Sequence, residues 1–148
     1  MSTLVTMTDR QLAMEAWESL FRAQHELFAL MMSDFEGTDV SQAEYDVLLT
    51  TVRSPAMSAR LRDITANMRI SQPSVSRLID RMVTRGLVTK APDPNDARSS
   101  IVTATDAGAR AFRAVATVHG RSIARCMSPL TDDELRTLLS LTQKLRGI

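Results

Sequence analysis

The 148-residue chain contains a single cysteine, Cys126, and no stretch of about 18 consecutive apolar residues. One cysteine cannot form a disulfide within the chain, and the lack of a long apolar run argues against a membrane-spanning helix. The first ten residues also lack the basic start and apolar core of a secretory signal peptide. We therefore expect a cytoplasmic protein with no membrane partner.

The sequence motifs of common enzyme sites are also missing. There is no glycine-rich phosphate loop, no His-Glu-x-x-His zinc motif and no nucleophile elbow. The two histidines, His25 and His119, stand at no recognisable metal-binding spacing from the carboxylates. We expect a protein that is not an enzyme and that needs no cofactor or metal.

Charge is unevenly distributed, although the net charge is only +1. Residues 51–100 contain nine basic and four acidic side chains, so the remainder of the chain is net negative. A basic middle segment is typical of a module that binds a polyanion such as DNA. The same asymmetry also occurs on ordinary solvated surfaces, so the charge pattern alone does not decide between them.

A long helix is predicted at residues 9–35, with Thr8 and Gln11 as a capping box at its start. Apolar residues recur along it at helical spacing in two stripes, which predicts burial on two sides. A short chain has few elements to cover both stripes. We therefore expect a second copy of the chain to cover this helix in a homodimer.

The middle of the chain is predicted to form helices followed by a β-hairpin. Ser41 begins a capping box and a helix that ends near Val52, and a short helix is expected at 59–68. Ser71 is expected to cap a helix that runs to Arg85 and ends at Gly86. A strong turn signal at 91–96 separates strand candidates at 87–90 and 101–103.

Two further helices are predicted after the hairpin. One starts at Asp106 and continues to about Met127, and the last follows a capping box that begins at Thr131. The expected fold is mainly α with a small β-hairpin wing. In this interpretation, residues 41–105 form a winged helix-turn-helix, and residues 1–40 and 106–148 form a dimerisation domain.

The predicted helix 71–85 has two distinct faces. Val75, Leu78, Ile79 and Met82 share the apolar face, which is expected to pack against Ile64 and Met68. The outward face and its flanks carry Pro73, Ser74, Ser76, Arg77, Arg81 and Thr84. Small side chains allow a helix to enter the major groove, which is about 12 Å wide, and Arg77 is long enough to reach guanine O6 and N7. The alternative is an ordinary surface helix whose serines are caps and whose arginines keep it soluble.

The predicted hairpin favours the DNA-binding interpretation, because it follows the helix-turn-helix directly. Arg98 near its tip is expected to enter the minor groove, and Asp96 is expected to orient Arg98 through a carboxylate–guanidinium pair. The alternative is a surface salt bridge that stiffens the turn. Asp80 also faces outward and would repel phosphate unless it is paired, for which Arg77 and Arg81 are the candidates.

Four segments together resemble the multiple-antibiotic-resistance-regulator (MarR) family: ISQPSVSRLIDRM at 70–82, RGLV at 85–88, DPNDAR at 93–98 and TDAG at 105–108. The resemblance implies an obligate dimer that binds a pseudo-palindromic site in double-stranded DNA, usually as a repressor released by a ligand. By motif position, it implies major-groove contacts from Ser71, Gln72, Ser74, Ser76 and Arg77, and a minor-groove contact from Arg98.

The chain departs from the family pattern at two positions. Pro73 stands where the family often has a donor or a long side chain, and proline contributes no N–H, which puts one phosphate contact in doubt. Ala104 replaces a larger aliphatic residue, so packing at the base of the wing is expected to be looser.

The same family is often described with a ligand crevice between the dimer domain and the DNA-binding lobe. Trp17, Phe21, His25 and Tyr45 are candidates to line it, with Arg22 as a counter-charge for a small aromatic or anionic effector. The alternative is that these aromatic residues form core or dimer contacts.

Two further alternatives remain from the sequence. Cys126 lies near Arg121 and Arg125, which would favour its thiolate and a role as a redox sensor, or it is a buried, inert cysteine. The winged helix could also have lost DNA binding and use its basic face to dock an acidic protein partner.

Overall fold

The computed structural model describes residues 7–68 and 74–148. They form two compact units, one comprising residues up to Ser33 together with Ser122–Ile148, and the other comprising Asp34–Arg121. Within the described residues the fold is mainly helical with one small antiparallel sheet, as the sequence predicts. None of the helices in these two ranges is long and apolar enough to cross a membrane.

The first unit contains helix α1, Met7–Met31, and the last helix of the chain, Asp132–Arg146. Because α1 already includes Thr8, the prediction that Thr8 is the N-cap residue was wrong. A 3-10 turn, Met32–Phe35, follows α1. The predicted capping box of the last helix is confirmed, since Thr131 Oγ1 accepts from the Glu134 N–H and Glu134 Oε2 accepts from the Thr131 N–H.

The second unit contains three helices before the sheet: α2, Gln42–Arg53; α3, Leu61–Asn67; and α4, Val75–Thr84. The capping box of Ser41 and Glu44 at the start of α2 is confirmed. Helix α5, Asp106–Met127, follows the sheet and extends into the first unit. The helix at Asp132–Arg146 is therefore α6.

A short strand that the sequence did not predict, β1, Ser58–Arg60, precedes α3. It occupies the expected start of the helix at 59–68, which therefore begins later. Ala59 pairs with Val102 on the opposing strand, and such long-range pairing overrides the weak helix propensity of a short segment. Ala56 and Met57, just before β1, both have positive φ angles.

The hairpin is formed by β2, Val88–Asp93, and β3, Asp96–Ala104. The strand order is β1-β3-β2, and all pairs are antiparallel. Both hairpin strands are longer than predicted, because backbone pairing continues into the expected turn, through Pro92 opposite Ser100 to Asp93 opposite Asp96. A register shift between Pro92 and Asp93 then leads into the turn.

The hydrophobic core of the second unit joins the three helices to the sheet. Ile64, Ile79, Met82 and Val102 are fully buried, and Met68 packs against the same cluster. Burial of each large apolar side chain contributes about 1.5–3 kcal/mol relative to exposure. This core fixes the inner face of α4 and therefore determines which side chains α4 presents to solvent.

Candidate nucleic-acid interface

Helix α4 has one buried and one exposed face. Its buried residues are Val75, Leu78, Ile79 and Met82, which confirms the predicted apolar face. The exposed positions are Ser76, Arg77, Asp80, Arg81 and Thr84, together with one apolar residue, Val83. The helix therefore presents a polar, cationic surface on a rigidly packed support.

The N-cap residue of α4 is Ser74, whose Oγ accepts a hydrogen bond of 3.3 Å from the backbone N–H of Arg77. The prediction that Ser71 caps this helix was therefore wrong. Ser71 and Ser74 both precede the apolar residues of the helix, and serine is a favoured N-cap residue at either position. Residue type alone therefore could not show which serine is the N-cap. The predicted contact residues Ser71, Gln72 and Pro73 lie outside the described residues.

The carboxylate of Asp80 pairs with Lys90, with 3.2 Å between Oδ1 and Nζ. The expected partners, Arg77 and Arg81, were wrong, because β2 brings Lys90 alongside α4. The Lys90 ammonium offsets the only negative charge on the exposed face of the described helix. This pair also connects the helix to the hairpin.

Asp96 orients the backbone at Arg98 rather than its guanidinium. Its Oδ1 accepts a hydrogen bond of 3.0 Å from the Arg98 N–H, and no ion pair joins the two side chains within the described ranges. The expected carboxylate–guanidinium pair was therefore wrong. In this turn the carboxylate accepts from the backbone N–H two residues later, as in an Asx-turn.

The buried carboxylate of the hairpin is Asp93. Arg60 Nε on β1 lies 3.1 Å from Asp93 Oδ2, but this is an ion-pair contact without good hydrogen-bond alignment. Asp93 Oδ1 accepts from the Asn95 N–H at 2.9 Å. The sequence analysis missed this pair, since it depends on strand β1, which the sequence did not predict.

The basic residues of β1, of α4 with its C-cap, and of the hairpin thus fall into two groups. Arg60, Arg85 and Lys90 form ion pairs with carboxylates. In contrast, Arg77, Arg81 and Arg98 are exposed and form no ion pair within residues 7–68 and 74–148. The unpaired group provides the charge that a phosphate backbone or a base edge can use.

The residues proposed to bind an effector occupy two different environments. In the first unit, the exposed Phe21 lies between Trp17 and His25 along α1, with ring centroids 6.1 Å and 6.3 Å away, and Arg22 is exposed. In the second unit, Tyr45 is buried and stacks on Phe112.

A buried pair that the sequence analysis missed lies beside Tyr45. His119 Nδ1 and Asp34 Oδ2 are 2.9 Å apart, and both side chains are largely buried. The His119 ring also contacts Tyr45 and Phe35. His119 is thus part of the aromatic cluster of the second unit.

Cys126 is a half-buried free thiol near the end of α5. Over residues 7–68 and 74–148, no group of three or more His, Cys, Asp and Glu residues is arranged to hold a metal ion.

Comparison with known proteins finds a match between residues 38–99 and the model of the MarR family. The multiple antibiotic resistance protein MarR of Escherichia coli (strain K12) is 28% identical over 108 residues, covering 72% of this chain and 74% of that protein. Residues 38–99, the segment that matches the family model, contain α2 to α4 and most of the hairpin.

Two solved structures show the same fold. Sco3205, a MarR family transcriptional regulator from Streptomyces coelicolor in complex with DNA, matches with a TM-score of 0.78 at 18% identity, over 99% of this chain and 90% of the other. BpsR of Bordetella bronchiseptica, whose DNA binding is regulated by 6-hydroxynicotinic acid, matches with a TM-score of 0.75 at 21% identity, over 88% and 92%.

Proposed function

We propose that this chain, which matches the MarR family of transcriptional regulators over residues 38–99, is a dimeric regulator that binds specific sites in double-stranded DNA. In this proposal, helix α4 enters the major groove and the hairpin contacts the minor groove. The protein is a binder and not an enzyme, and action on DNA implies the cytoplasm as its location.

The observation that carries this proposal is the arrangement of α4. Its apolar face is sealed in the core, and the exposed Ser76, Arg77 and Arg81 project from the other face. Arginine donates in a bidentate manner to guanine O6 and N7, and small polar neighbours allow close approach to the groove. Ser71, Gln72, Pro73 and Ser74 at the start of this segment complete the proposed major-groove set.

Arg98 is the proposed minor-groove residue. The Asp96 carboxylate holds the backbone at Arg98, which leaves the guanidinium free to reach DNA. Narrow, A·T-rich minor grooves concentrate negative potential and attract arginine. Asp96 thus orients Arg98 indirectly, through the turn.

The homodimer is supported by the exposed apolar residues of the first unit. Leu12 and Trp17 on α1 and Leu145 on α6 are each more than 60% exposed in the single chain. Most of the large apolar side chains that are exposed in the single chain belong to this unit, and such exposure is typical of association surfaces. We assign dimerisation to residues 1–40 and 106–148, and DNA binding to 41–105.

We further propose that a small aromatic or anionic effector releases the protein from DNA, so that it acts as a repressor. The DNA binding of BpsR, which has the same fold, is regulated by 6-hydroxynicotinic acid. The proposed contacts are the exposed rings of Trp17, Phe21 and His25 on α1, with Arg22 on the same helix. Tyr45, the fifth candidate, is buried against Phe112.

Selection of bound duplexes from a random DNA pool tests the proposal and identifies the site in one experiment. A two-fold symmetric dimer should enrich an inverted repeat with half-sites about 10 bp apart. Failure to enrich any sequence over the starting pool, under conditions where the protein is folded, would reject sequence-specific DNA binding.

A further inference from the structure

The guanidinium of Arg85 connects the end of α4 to the start of α2. Arg85 is the C-cap residue of α4. Its Nη1 donates to Glu44 Oε2, and its Nη2 donates to the carbonyl oxygen of Asp39. A single side chain at the end of the helix is thus held by a carboxylate and a backbone carbonyl.

Glu44 is itself fixed in position. The residue is only 8% exposed, and its Oε1 accepts a hydrogen bond of 3.1 Å from the backbone N–H of Ser41. Its own N–H donates to Ser41 Oγ at 3.2 Å. Both carboxylate oxygens therefore have donors, and Arg85 contacts a rigid acceptor instead of a mobile surface side chain.

The residues directly after Arg85 are held by another element. Gly86 ends the helix with φ of +74°, and its carbonyl accepts a 2.6 Å hydrogen bond from the Thr105 hydroxyl. The Thr105 N–H donates to the Leu87 carbonyl at 3.1 Å. The C-terminal end of α4 is therefore attached to the beginnings of both α2 and α5.

We propose that Arg85, together with Glu44, is a positioning residue that sets the orientation of α4 for base reading and does not bind phosphate. This inference rests on the proposed DNA-binding function. A guanidinium already engaged by a carboxylate and a carbonyl is not free to replace counterions on DNA. Rotation of α4 about its C-terminal end would displace Arg77. At about 1.5 Å per residue, Arg77 lies about 12 Å from Arg85 toward the N-terminus of the helix.

The test uses the full-length protein and the duplex that the wild type selects. Arg85→Ala removes the side chain that contacts Glu44 and Asp39. Arg85→Lys keeps the positive charge, but lysine lacks the forked guanidinium that donates to two acceptors at once. Glu44→Gln keeps a residue that can serve in the capping box but removes the charge facing Arg85. Arg81→Ala is the matched control, because Arg81 is an exposed cation on the same helix.

Dissociation constants are measured for the selected and a scrambled duplex over a range of salt, at a temperature where circular dichroism shows each variant folded. Arg85→Ala should lower the ratio of the affinity for the selected duplex to the affinity for the scrambled duplex about tenfold. It should not change the salt slope, which is the slope of log affinity against log salt concentration. The double variant with Glu44→Gln should lose no more than Arg85→Ala alone, and Arg85→Lys should not restore the ratio. Arg81→Ala should reduce the slope by about one.

A salt slope reduced by about one in Arg85→Ala, with the affinity ratio preserved, would identify a phosphate contact and overturn the inference. An unchanged ratio, or losses that add in the double variant, would overturn it as well. These results differ from failure of the proposed function, in which the wild type itself prefers no duplex.

Discussion

The hydroxyl of Thr105 donates a hydrogen bond of 2.6 Å to the carbonyl oxygen of Gly86 and accepts one of 3.0 Å from the N–H of Gly108. Thr105 thereby attaches the first turn of α5 to the residues that end α4. The close contact between these segments depends on the absence of a side chain at Gly108. A Cβ there would lie 2.0 Å from the Leu87 carbonyl oxygen.

Gly108→Ala should lower the free energy of unfolding by about 3 kcal/mol, because backbone atoms must move to make room. Gly120→Ala on the same helix is the matched control. Among the described residues, no atom outside the neighbouring helix backbone lies within 4 Å of its added Cβ, and alanine should raise stability by about 0.5–1 kcal/mol. Urea denaturation of both variants measures the difference. Equal stabilities of the two would show that α5 does not pack on Leu87 as described.

Lys90→Ala should weaken DNA binding more than the loss of one cation explains. The substitution leaves the Asp80 carboxylate unpaired on the exposed face of α4, where it repels phosphate. For an exposed pair the additional loss should be up to about fivefold. Adding Asp80→Asn should recover that part of the affinity. If Asp80→Asn recovers nothing in the Lys90→Ala background, Asp80 does not face the DNA.

Arg98→Ala should weaken binding most when the half-sites are flanked by A·T-rich sequence. The guanidinium is exposed and unpaired within the described residues, and A·T-rich grooves are narrow and strongly negative. Affinities for duplexes that differ only in their flanks, with Arg136→Ala as a control substitution outside the hairpin, measure the effect. Equal losses on all flanks would reject minor-groove readout.

Leu145→Glu and Leu12→Glu should convert the proposed homodimer to monomer and weaken operator binding. Both leucines are more than 60% exposed in the single chain, and a carboxylate in an apolar interface is costly to desolvate. Sedimentation equilibrium gives the association state, with Arg136→Ala on the exposed surface of α6 as the control. If the wild type sediments as a monomer and still binds the selected duplex, the dimer proposal is contradicted.

The sequence predicted those features whose signals are local. The 3.6-residue apolar spacing of Val75, Leu78, Ile79 and Met82 predicted α4 and its buried face, and the turn residues around Pro94 predicted the hairpin. The capping boxes at Ser41 and Thr131 were also predicted correctly. Each of these depends on residues within a few positions of one another.

The features that the sequence could not predict depend on distant residues. Strand β1 exists because Ala59 meets Val102, and Arg60 can pair with Asp93 only after that strand forms. Arg85 and Glu44, and Asp80 and Lys90, likewise meet through the tertiary fold. Counting charges along the chain therefore overstated how many cations are free to contact DNA.

The central claim, that α4 reads bases in the major groove through Arg77, is tested most directly by replacing each guanine of the selected duplex with 7-deazaguanine. This substitution removes the N7 acceptor and leaves base pairing intact. The wild type should lose about 1–3 kcal/mol of binding free energy at one position in each half-site, and Arg77→Ala should show no such loss there. Equal sensitivity of the wild type and Arg77→Ala at every guanine, or none in either protein, would contradict the account.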